Sequence, residues 1–358
     1  MEKTRRVKIV TGLKCNIQCV FCYYRDNLKA PNRSFEEIVS DLKYAYRHGV
    51  REVDFSGGEP TIHPDLPRLI TTAKQIGIEQ VCIISNGLRL AKPDYLEQLK
   101  ASGLDEVLFS VHGSHPGIHD EITQVAGSFE KLKQGMANAA EMSLDVRINT
   151  VVNRLNYLDL EELSKLVLIY KPVQTNFITL NDWCFAKHLI DKFMITYTEM
   201  APALKAACDL LDPHIAEVNV RYIPFCCMQG YERFVCNQRQ VIYDRYEWVP
   251  RVRCRLEEQN TLGRYLAILA YGYFMGGCWK KTGRESIADL LDDCVVEGLR
   301  KYFYGKGPQC KGCSHAELCD GVENTYAEKF GFDELSSYSN TDLQDPLFYR
   351  KTRTGGVV

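Results

Sequence analysis

Neither sign of charge dominates this sequence: 44 lysine and arginine residues face 46 aspartate and glutamate residues, which gives a net charge of −2 at pH 7. This balance gives no reason to expect nucleic acid or an anionic membrane as a partner. The sequence has no apolar run long enough to span a bilayer, and its first six residues lead into a strand without the apolar segment of a secretory signal. Internal repeats and low-complexity tracts are also missing. These absences favour a globular enzyme with no membrane partner.

Cysteine, by contrast, is abundant, with 15 residues in a chain of 358. Without a secretory signal, so many thiols indicate a reducing compartment and metal ligation rather than disulfides, so the sequence predicts a cytoplasmic protein. The length exceeds the size at which a single core keeps growing, and two domains are therefore expected. The 45% content of hydrophobic residues is enough for packed cores.

Three cysteines near the start of the chain, the cysteine triplet, have a specific spacing. Cys15, Cys19 and Cys22 form a C-x3-C-x2-C pattern directly after a short strand predicted at 7–10. A 4Fe-4S cube normally takes four thiolates, so three leave one iron open to a ligand that is not protein. The carboxyl end of a strand is also where α/β proteins place their active sites. A structural zinc site is the alternative, but the second half-site expected about 12 to 20 residues further on is missing.

A second pattern follows one helix later. The strand predicted at 51–55 runs into Gly57-Gly58-Glu59-Pro60. Two glycines at a strand end let a small ligand approach the backbone, while the Glu59 carboxylate and the backbone carbonyls accept hydrogen bonds from a cation such as an amine. On its own this stretch is also typical of an ordinary loop. Together with the cysteine triplet it indicates a ligand site at one edge of a parallel sheet.

These two patterns, with the aromatic Phe21 before the last cysteine, resemble those of the radical SAM (S-adenosylmethionine) superfamily. The resemblance implies that the cysteine triplet holds a 4Fe-4S cluster, whose open iron chelates the amine and carboxylate of the methionine part of SAM. Glu59 is then the best single side chain for the amine. The other implied cofactor contacts are Phe21, Gly57, Gly58, Pro60, Ser85, Asn86, Ser110, Arg147 and Asn149. A lone polar residue at a strand end is more often a turn or a cap, which is the alternative for the last three.

Strand-like and helix-like segments alternate up to residue 211, and such alternation predicts a parallel sheet with crossover helices. Ser34 caps a helix predicted over 35–47. Further strands are predicted at 51–55, 80–84, 105–111, 145–152 and 173–180, with helices near 64–76, 92–101, 128–142 and 159–169. With the strand at 7–10 these fit the partial (β/α)6 TIM-type barrel that the resemblance implies, an α/β fold closed by a final helix over 192–211.

Cysteines become dense after residue 211, and the most specific run is Cys310, Cys313 and Cys319 in a C-x2-C-x5-C pattern. The run resembles the cysteine-rich SPASM and twitch domains, which bind auxiliary 4Fe-4S clusters in many radical SAM enzymes. This resemblance implies one auxiliary cluster, held by these thiolates with Cys226 or Cys236 as the fourth ligand. A second auxiliary cluster and a zinc knuckle are the alternatives.

Three parts of the chain are therefore expected: the barrel over 1–211, the auxiliary cluster domain over 212–335 and a C-terminal tail over 336–358. A strand at 217–223 is expected to open the second domain. The residues at 240–253 predict a β-hairpin.

Three histidines in one loop, His112, His115 and His119, could form a metal site, but a loop and helix start over the barrel mouth is favoured because the family carries a similar loop without metal. His112 follows Ser110 and is a candidate for substrate contact. The segment 181–188 is predicted to line the substrate space. Buried small hydrophobes are expected at Cys82, Cys184, Cys208 and Cys294.

The resemblance implies an oxidoreductase that takes an electron from a partner such as flavodoxin or ferredoxin and cleaves SAM to methionine and a 5'-deoxyadenosyl radical. That radical takes a hydrogen atom from the substrate. The SPASM and twitch resemblance favours a maturase of a peptide or natural product, although a barrel that starts at Val7 leaves no room for an N-terminal peptide-binding domain. Chemistry on a sugar, nucleoside or cofactor precursor is the first alternative, and a non-catalytic iron-sulfur electron carrier or zinc-binding scaffold is the second.

Overall fold

The structure, a computed structural model, describes residues 3–22, 24–180, 192–257, 262–278, 286–339 and 343–351. The chain divides into two compact units. The barrel unit runs over Lys8–Arg221, and the cysteine-rich unit combines the first seven residues with those from Tyr222 onward. The segment 181–188, with Cys184, lies outside the described residues.

The barrel unit is built on a sheet whose strands neighbour one another in chain order. They are β1 (Arg6–Val10), β2 (Glu52–Ser56), β3 (Gln80–Ser85), β4 (Glu106–Ser110), β5 (Asp145–Val152), β6 (Gln174–Thr179) and β7 (Glu217–Arg221). The pairs from β2 to β7 are all parallel, so the carboxyl ends of these strands open at one edge. The predicted α/β partial barrel is confirmed.

Amphipathic helices cross between these strands. They are α1 (Phe35–Arg47), α2 (Leu66–Ile76), α3 (Pro93–Ala101), α4 (Pro116–Thr123), α5 (Ser128–Glu141), α6 (Leu160–Leu168) and α7 (Tyr197–Leu211). The cap predicted at Ser34 is confirmed: its hydroxyl accepts from the Glu37 N–H (3.3 Å), and the Glu37 carboxylate accepts from the Ser34 N–H (2.8 Å). Helix α1 therefore begins where its sequence predicts, and it buries Ile38, Leu42 and Ala45 along one face.

The strand expected at 217–223 belongs to the barrel sheet and does not open a second domain. It is β7, which pairs in parallel with β6 and places Asn219 opposite Asn176. Helix α7 is therefore the crossover between these two strands rather than the last element of the barrel. The change in composition after residue 211 suggested a boundary, but a further parallel strand requires a crossover helix and extends the sheet.

The cysteine-rich unit combines short strands with helices. Its elements are β8 (Val235–Cys236), α8 (Gln238–Val241), α9 (Pro250–Glu257), α10 (Leu262–Phe274), α11 (Ile287–Phe303), β9 (Tyr304–Gly305), β10 (Val322–Glu323), α12 (Asn324–Phe330) and α13 (Phe348–Lys351). The backbones of α10 and α11 approach closely, because a Cβ atom on Gly272 would lie 1.8 Å from the Cys294 carbonyl oxygen. Taken over the described residues of both units, no helix has the length and apolar character needed to cross a membrane.

The β-hairpin predicted over 240–253 is wrong, because the segment contains the end of α8, a stretch of turns over 242–249 and the start of α9. Asn237 forms a capping box at the start of α8, and a proline in the first position favours helix formation in α9. The backbone between the helices bonds to the start of the chain instead: the Thr4 N–H donates to the Ile242 carbonyl (2.9 Å), and the Val249 N–H donates to the Arg6 carbonyl (2.8 Å). This segment therefore pairs with the start of the chain rather than with itself.

Candidate active site of the barrel unit

The cysteine triplet lies on the loop after β1, at the carboxyl edge of the sheet. Contacts with the main chain of this loop fix it in place. The Gln18 N–H donates to the Thr123 carbonyl (3.1 Å). Arg25 donates from its guanidinium to the carbonyls of Gln18 (2.9 Å) and Cys19 (3.1 Å). Arg25 was not predicted as a site residue, because a basic residue three positions after the last cysteine has no specific pattern.

The three thiols are half-buried, and their charges interact with one another. Burial raises the pKa of Cys15 to about 12 and also raises the pKa values of Cys19 and Cys22. As free thiols they therefore hold their protons at neutral pH, and the thiolates become favourable when a cationic centre compensates for the lost hydration. Three such thiols on one loop fit a metal cluster, whose binding releases the protons.

The glycine pair, Gly57 and Gly58, packs directly on the cysteine loop. The Gly58 N–H donates to the Gly12 carbonyl (2.8 Å), and the Glu59 N–H donates to the Lys14 carbonyl (2.9 Å). A Cβ atom would lie 2.1 Å from the Lys14 oxygen if placed on Gly58, and 2.2 Å from the Gly12 oxygen if placed on Gly57. Gly57 also has φ +122°. The two sequence patterns therefore form one structural site, and it has no room for side chains at the glycine pair.

The carboxylate of Glu59 is buried and accepts four hydrogen bonds from the protein. Its Oε1 accepts from the Thr61 N–H (3.1 Å), the Thr61 hydroxyl (2.6 Å) and the Ser85 hydroxyl (2.9 Å), and its Oε2 accepts from the Asn86 N–H (2.8 Å). Burial raises the pKa of Glu59, and these hydrogen bonds oppose that effect. A carboxylate has about four acceptor positions. Glu59 therefore connects the loop after β2 to the end of β3, and protein donors take most of the acceptor positions of its carboxylate.

Asn86 connects β3 to the cysteine loop. Its Nδ2 donates to the Asn16 Oδ1 (2.7 Å) and lies 3.9 Å from the Cys15 sulfur. Asn16 and Thr61 are further site residues that the sequence did not predict, because a polar residue within or after a motif carries no pattern of its own. The structure thus brings Ser85, Asn86, Glu59 and the cysteine triplet to one place.

Phe21 and His112 contact each other beside the cysteine loop, with ring centroids 4.9 Å apart in an edge-to-face arrangement. His112 is buried, and its pKa is lowered to about 3 by that burial and then by the neighbouring His119. His112 is therefore neutral at physiological pH. His115 instead caps α4, since its Nδ1 accepts from the Gly117 N–H (3.1 Å). Among the described residues these three histidines do not converge on a metal site.

Arg147 is not brought to this site. Its guanidinium pairs with Asp54 (3.0 Å) and with Glu106, and it donates to the Cys82 sulfur (3.3 Å). All four side chains are buried, and they come from the amino-terminal halves of β2 to β5. Two carboxylates and a thiol also offer the ligands of a metal ion. The guanidinium lies among them, which gives Arg147 a role in the barrel core.

Ser110 and Asn149 lie side by side at the carboxyl edge. Ser110 ends β4 and is in register with Asn149 on β5. Asn149 Oδ1 accepts from the Asn176 amide (2.8 Å), and Asn176 Oδ1 accepts from the Asn219 amide (3.0 Å). A row of asparagines therefore crosses β5, β6 and β7 next to Ser110.

The cysteine-rich unit contains a second group of thiols. Cys226, Cys310, Cys313 and Cys319 line one cavity. Cys236, the other candidate for a fourth ligand, is fully buried on β8 and does not line this cavity. The structure therefore brings Cys226, rather than Cys236, to the C-x2-C-x5-C run.

Backbone N–H groups donate to two of the sulfur atoms in this cavity. The Tyr338 N–H donates to Cys313 and the Gly321 N–H donates to Cys319. The N–H groups of Tyr338 and Gly321 lie 3.4 Å from their sulfur atoms. Hydrogen bonds of this kind stabilise anionic sulfur, so the cavity fits an iron-sulfur cluster.

The fold and the site together define a class of enzyme. A parallel partial barrel carries three thiols and a glycine pair at its carboxyl edge, and residues 9–167, which contain both patterns, match the family described as the radical SAM superfamily. The matched residues all lie in the barrel unit, and members of this superfamily are enzymes that bind a 4Fe-4S cluster and SAM, act on a substrate and need a reductant.

Curated relatives are similar over part of the chain. The probable GTP 3',8-cyclase of Methanococcus maripaludis (strain C6) is 35% identical over 145 residues, which covers 40% of this chain and 48% of the relative. The probable GTP 3',8-cyclase of Saccharolobus solfataricus is 34% identical over 155 residues, which covers 42% of this chain and 48% of the relative. The chain thus spans about half the length of the curated relatives it matches.

Solved structures are similar over a larger part of the chain. Streptococcus suis SuiB bound to the precursor peptide SuiA has a TM-score of 0.61 at 16% identity, covering 96% of this chain and 77% of that chain. HydG, a maturase of the [FeFe]-hydrogenase, has a TM-score of 0.51 at 12% identity, covering 83% of this chain and 79% of that chain. At these identities the likeness concerns the fold alone.

Proposed function

We propose that the protein reductively cleaves S-adenosylmethionine and abstracts a hydrogen atom from a substrate. The observation that carries this proposal is the packing of the glycine pair on the cysteine loop, because it places a backbone cradle beside three half-buried thiols. When bound there, the reduced cluster and SAM supply a 5'-deoxyadenosyl radical. The residues of the chain hold and orient these groups and exclude water.

The site residues divide into ligands and positioning residues. The cysteine triplet would hold the cluster, and the backbone carbonyls of the glycine pair would accept from the methionine amine of SAM. We assign the amine to these carbonyls because the Glu59 carboxylate already accepts four hydrogen bonds. Glu59 is then a positioning residue that holds Ser85 and Asn86 against the loop after β2. Ser110 and Asn149 remain candidates for contacts with the rest of SAM.

An auxiliary 4Fe-4S cluster in the cysteine-rich unit is the second part of the proposal. Cys226, Cys310, Cys313 and Cys319 supply the four thiolates that such a cube takes, and the backbone N–H groups of Tyr338 and Gly321 favour the anionic form. This set makes the unit a SPASM- or twitch-like domain with one cluster. Cys227 lies beside the set, since it directly follows Cys226 in the sequence.

Single cysteine variants test this ligand set. We expect Cys226→Ala to lose about four irons per chain, the content of one cube, because no other thiol lines the cavity in its place. Cys236→Ala should keep the wild-type iron and sulfide content, since Cys236 does not line the cavity. Iron and acid-labile sulfide are counted after anaerobic reconstitution. Full iron content in Cys226→Ala combined with a loss in Cys227→Ala would assign the ligand to Cys227 and contradict the proposed set.

For the substrate we favour a small molecule over a peptide. The curated relatives that share about a third of the matched residues are named as cyclases of GTP, whereas the likeness to SuiB with its bound peptide is one of fold. The chain spans about half of those relatives, so the proposal extends to the chemical class, a nucleotide or related cofactor precursor, and not to GTP itself. The reductant would be a flavodoxin or ferredoxin.

A substrate panel separates the two classes. Reduced protein is incubated with SAM and with nucleoside triphosphates, sugars or precursor peptides, and each reaction is compared with one that lacks the candidate. A small molecule that is consumed in step with 5'-deoxyadenosine formation supports the proposal. Modification of a peptide, with no small molecule consumed, would contradict the small-molecule substrate and favour a peptide maturase.

A further inference from the structure

Tyr338, expected from the sequence to belong to a C-terminal tail, lines the cavity of the four cysteines. Its backbone N–H donates to the Cys313 sulfur (3.4 Å). Its backbone carbonyl accepts from the Ser314 N–H (3.0 Å). The main chain of Tyr338 is therefore fixed to the C-x2-C-x5-C run through both of its polar groups.

The side chain of Tyr338 reaches the other segment of the ligand set. Its hydroxyl oxygen lies 3.1 Å from the Phe225 carbonyl oxygen and 2.9 Å from the Glu232 carboxylate, and these two acceptors share the phenolic proton. Phe225 directly precedes Cys226 in the sequence. Tyr338 thus connects the backbone beside Cys226 to the distant run that contains Cys313.

Ring packing holds Tyr338 between these two segments. Its ring stacks on the His315 ring at a centroid distance of 3.7 Å. His315 is buried, and its ring nitrogens are hydrogen-bonded to the hydroxyls of Ser314 (3.0 Å) and Tyr349. A tyrosine that is held by its backbone, its hydroxyl and its ring keeps its N–H aimed at one sulfur atom.

Hydrogen bonds to the sulfur ligands of an iron-sulfur cluster favour the reduced form, because that form carries one more negative charge. We propose that Tyr338 is a positioning residue for the auxiliary cluster: its side chain aims the Tyr338 N–H at the Cys313 sulfur, and this hydrogen bond raises the reduction potential of the cluster. This inference rests on the auxiliary cluster of the proposed function. It gives Tyr338 a redox role that is separate from ligation.

A redox titration of the full chain tests the inference. The titration is followed by electron paramagnetic resonance in a background where Cys15, Cys19 and Cys22 are alanine, so that only the auxiliary cluster contributes. Tyr338→Leu keeps an apolar side chain at the cavity but loses the hydroxyl and the stacked ring. We expect it to make reduction about tenfold less favourable, which corresponds to a midpoint about 59 mV more negative for one electron. Tyr338→Phe keeps the ring, and its midpoint should lie between those of Tyr338→Leu and the parent.

Tyr302→Phe is the matched control. It removes the hydroxyl of a tyrosine that belongs to the same unit, is 60% exposed and does not line the cavity. Its midpoint should equal that of the parent. The sign of the shift separates the inference from a loss of packing, because water that entered the cavity would stabilise the reduced cluster and make the midpoint more positive.

The outcomes distinguish this inference from the proposed function. A parent protein that lacks the auxiliary irons overturns the auxiliary cluster, and the inference with it. A parent that holds the cluster and shares its midpoint with both Tyr338 variants overturns the inference alone, as does a midpoint that becomes more positive. If Tyr338→Leu loses its irons, the midpoint of Tyr338→Phe decides. Loss of the cluster from both variants also contradicts the inference, because Tyr338 would then be needed for assembly of the cluster and not for its potential.

Discussion

Gly58→Ala is expected to lower the rate of SAM cleavage at least about 100-fold while both units stay folded. The added methyl group would lie 2.1 Å from the Lys14 carbonyl oxygen and 2.4 Å from that of Leu13. Backbone atoms cannot move aside as a flexible side chain does. The cysteine loop and the glycine pair at the end of β2 must therefore move apart. A displacement of about 1 Å at a reacting centre is enough for a loss of this size. The rate is measured as 5'-deoxyadenosine formed by anaerobic, reduced protein.

Gly263→Ala is the matched control for this prediction. Gly263 lies in α10, and a Cβ atom there would meet no atom within 4 Å. The control should cleave SAM at the wild-type rate. Wild-type activity in Gly58→Ala, with its clusters intact, would show that the glycine pair does not position SAM.

Arg147→Met is expected to destabilise the barrel unit by roughly 3–5 kcal/mol, the range measured when one partner of a buried ion pair is removed. Asp54 and Glu106 would then remain buried without the cation that lies between them. Methionine fills much of the same volume but supplies no charge. The change is measured as the shift of the urea unfolding midpoint by circular dichroism.

Two further variants control this experiment. Lys165→Met removes ion pairs with Glu161 (2.9 Å) and Glu162 (2.8 Å) on the exposed face of α6, and we expect no measurable change in stability. Adding Asp54→Asn and Glu106→Gln to Arg147→Met should recover part of the loss, because no charge is then left buried alone. An unchanged unfolding midpoint in Arg147→Met would contradict the role of Arg147 in the barrel core. It would favour the contact with SAM that the resemblance implied.

The barrel could be predicted closely because its signals are local. The Ser34 capping box, the apolar strands and the spacing of crossover helices each depend on neighbouring residues, and their bounds agree with the structure within a few positions. The hairpin predicted at 240–253 was wrong because this segment makes backbone hydrogen bonds to Thr4 and Arg6, which are distant in sequence. Alternation predicts a half-buried backbone, and it does not say which partner buries it.

The site was predictable where a residue acts through its own chemistry. The cysteine triplet and the glycine pair follow from ligand count and steric need. The sequence put Arg147 at the carboxyl edge of the sheet, which is wrong. A strand pattern tells on which face of the sheet a side chain lies, but not how far along the barrel axis it lies from the site. Tyr338 was missed, since nothing local connects it to Cys313, 25 residues earlier.

The central claim is that the cysteine triplet supports the reductive cleavage of SAM. The most direct test incubates anaerobically reconstituted, dithionite-reduced protein with SAM and measures 5'-deoxyadenosine in wild type and in the Cys15/Cys19/Cys22 triple alanine variant. We expect the wild-type protein to cleave SAM above the no-enzyme background. The variant should lose this activity and about four irons while it keeps the auxiliary cluster. A wild-type protein that holds both clusters and binds SAM but forms no 5'-deoxyadenosine would contradict the account and favour a non-catalytic electron carrier.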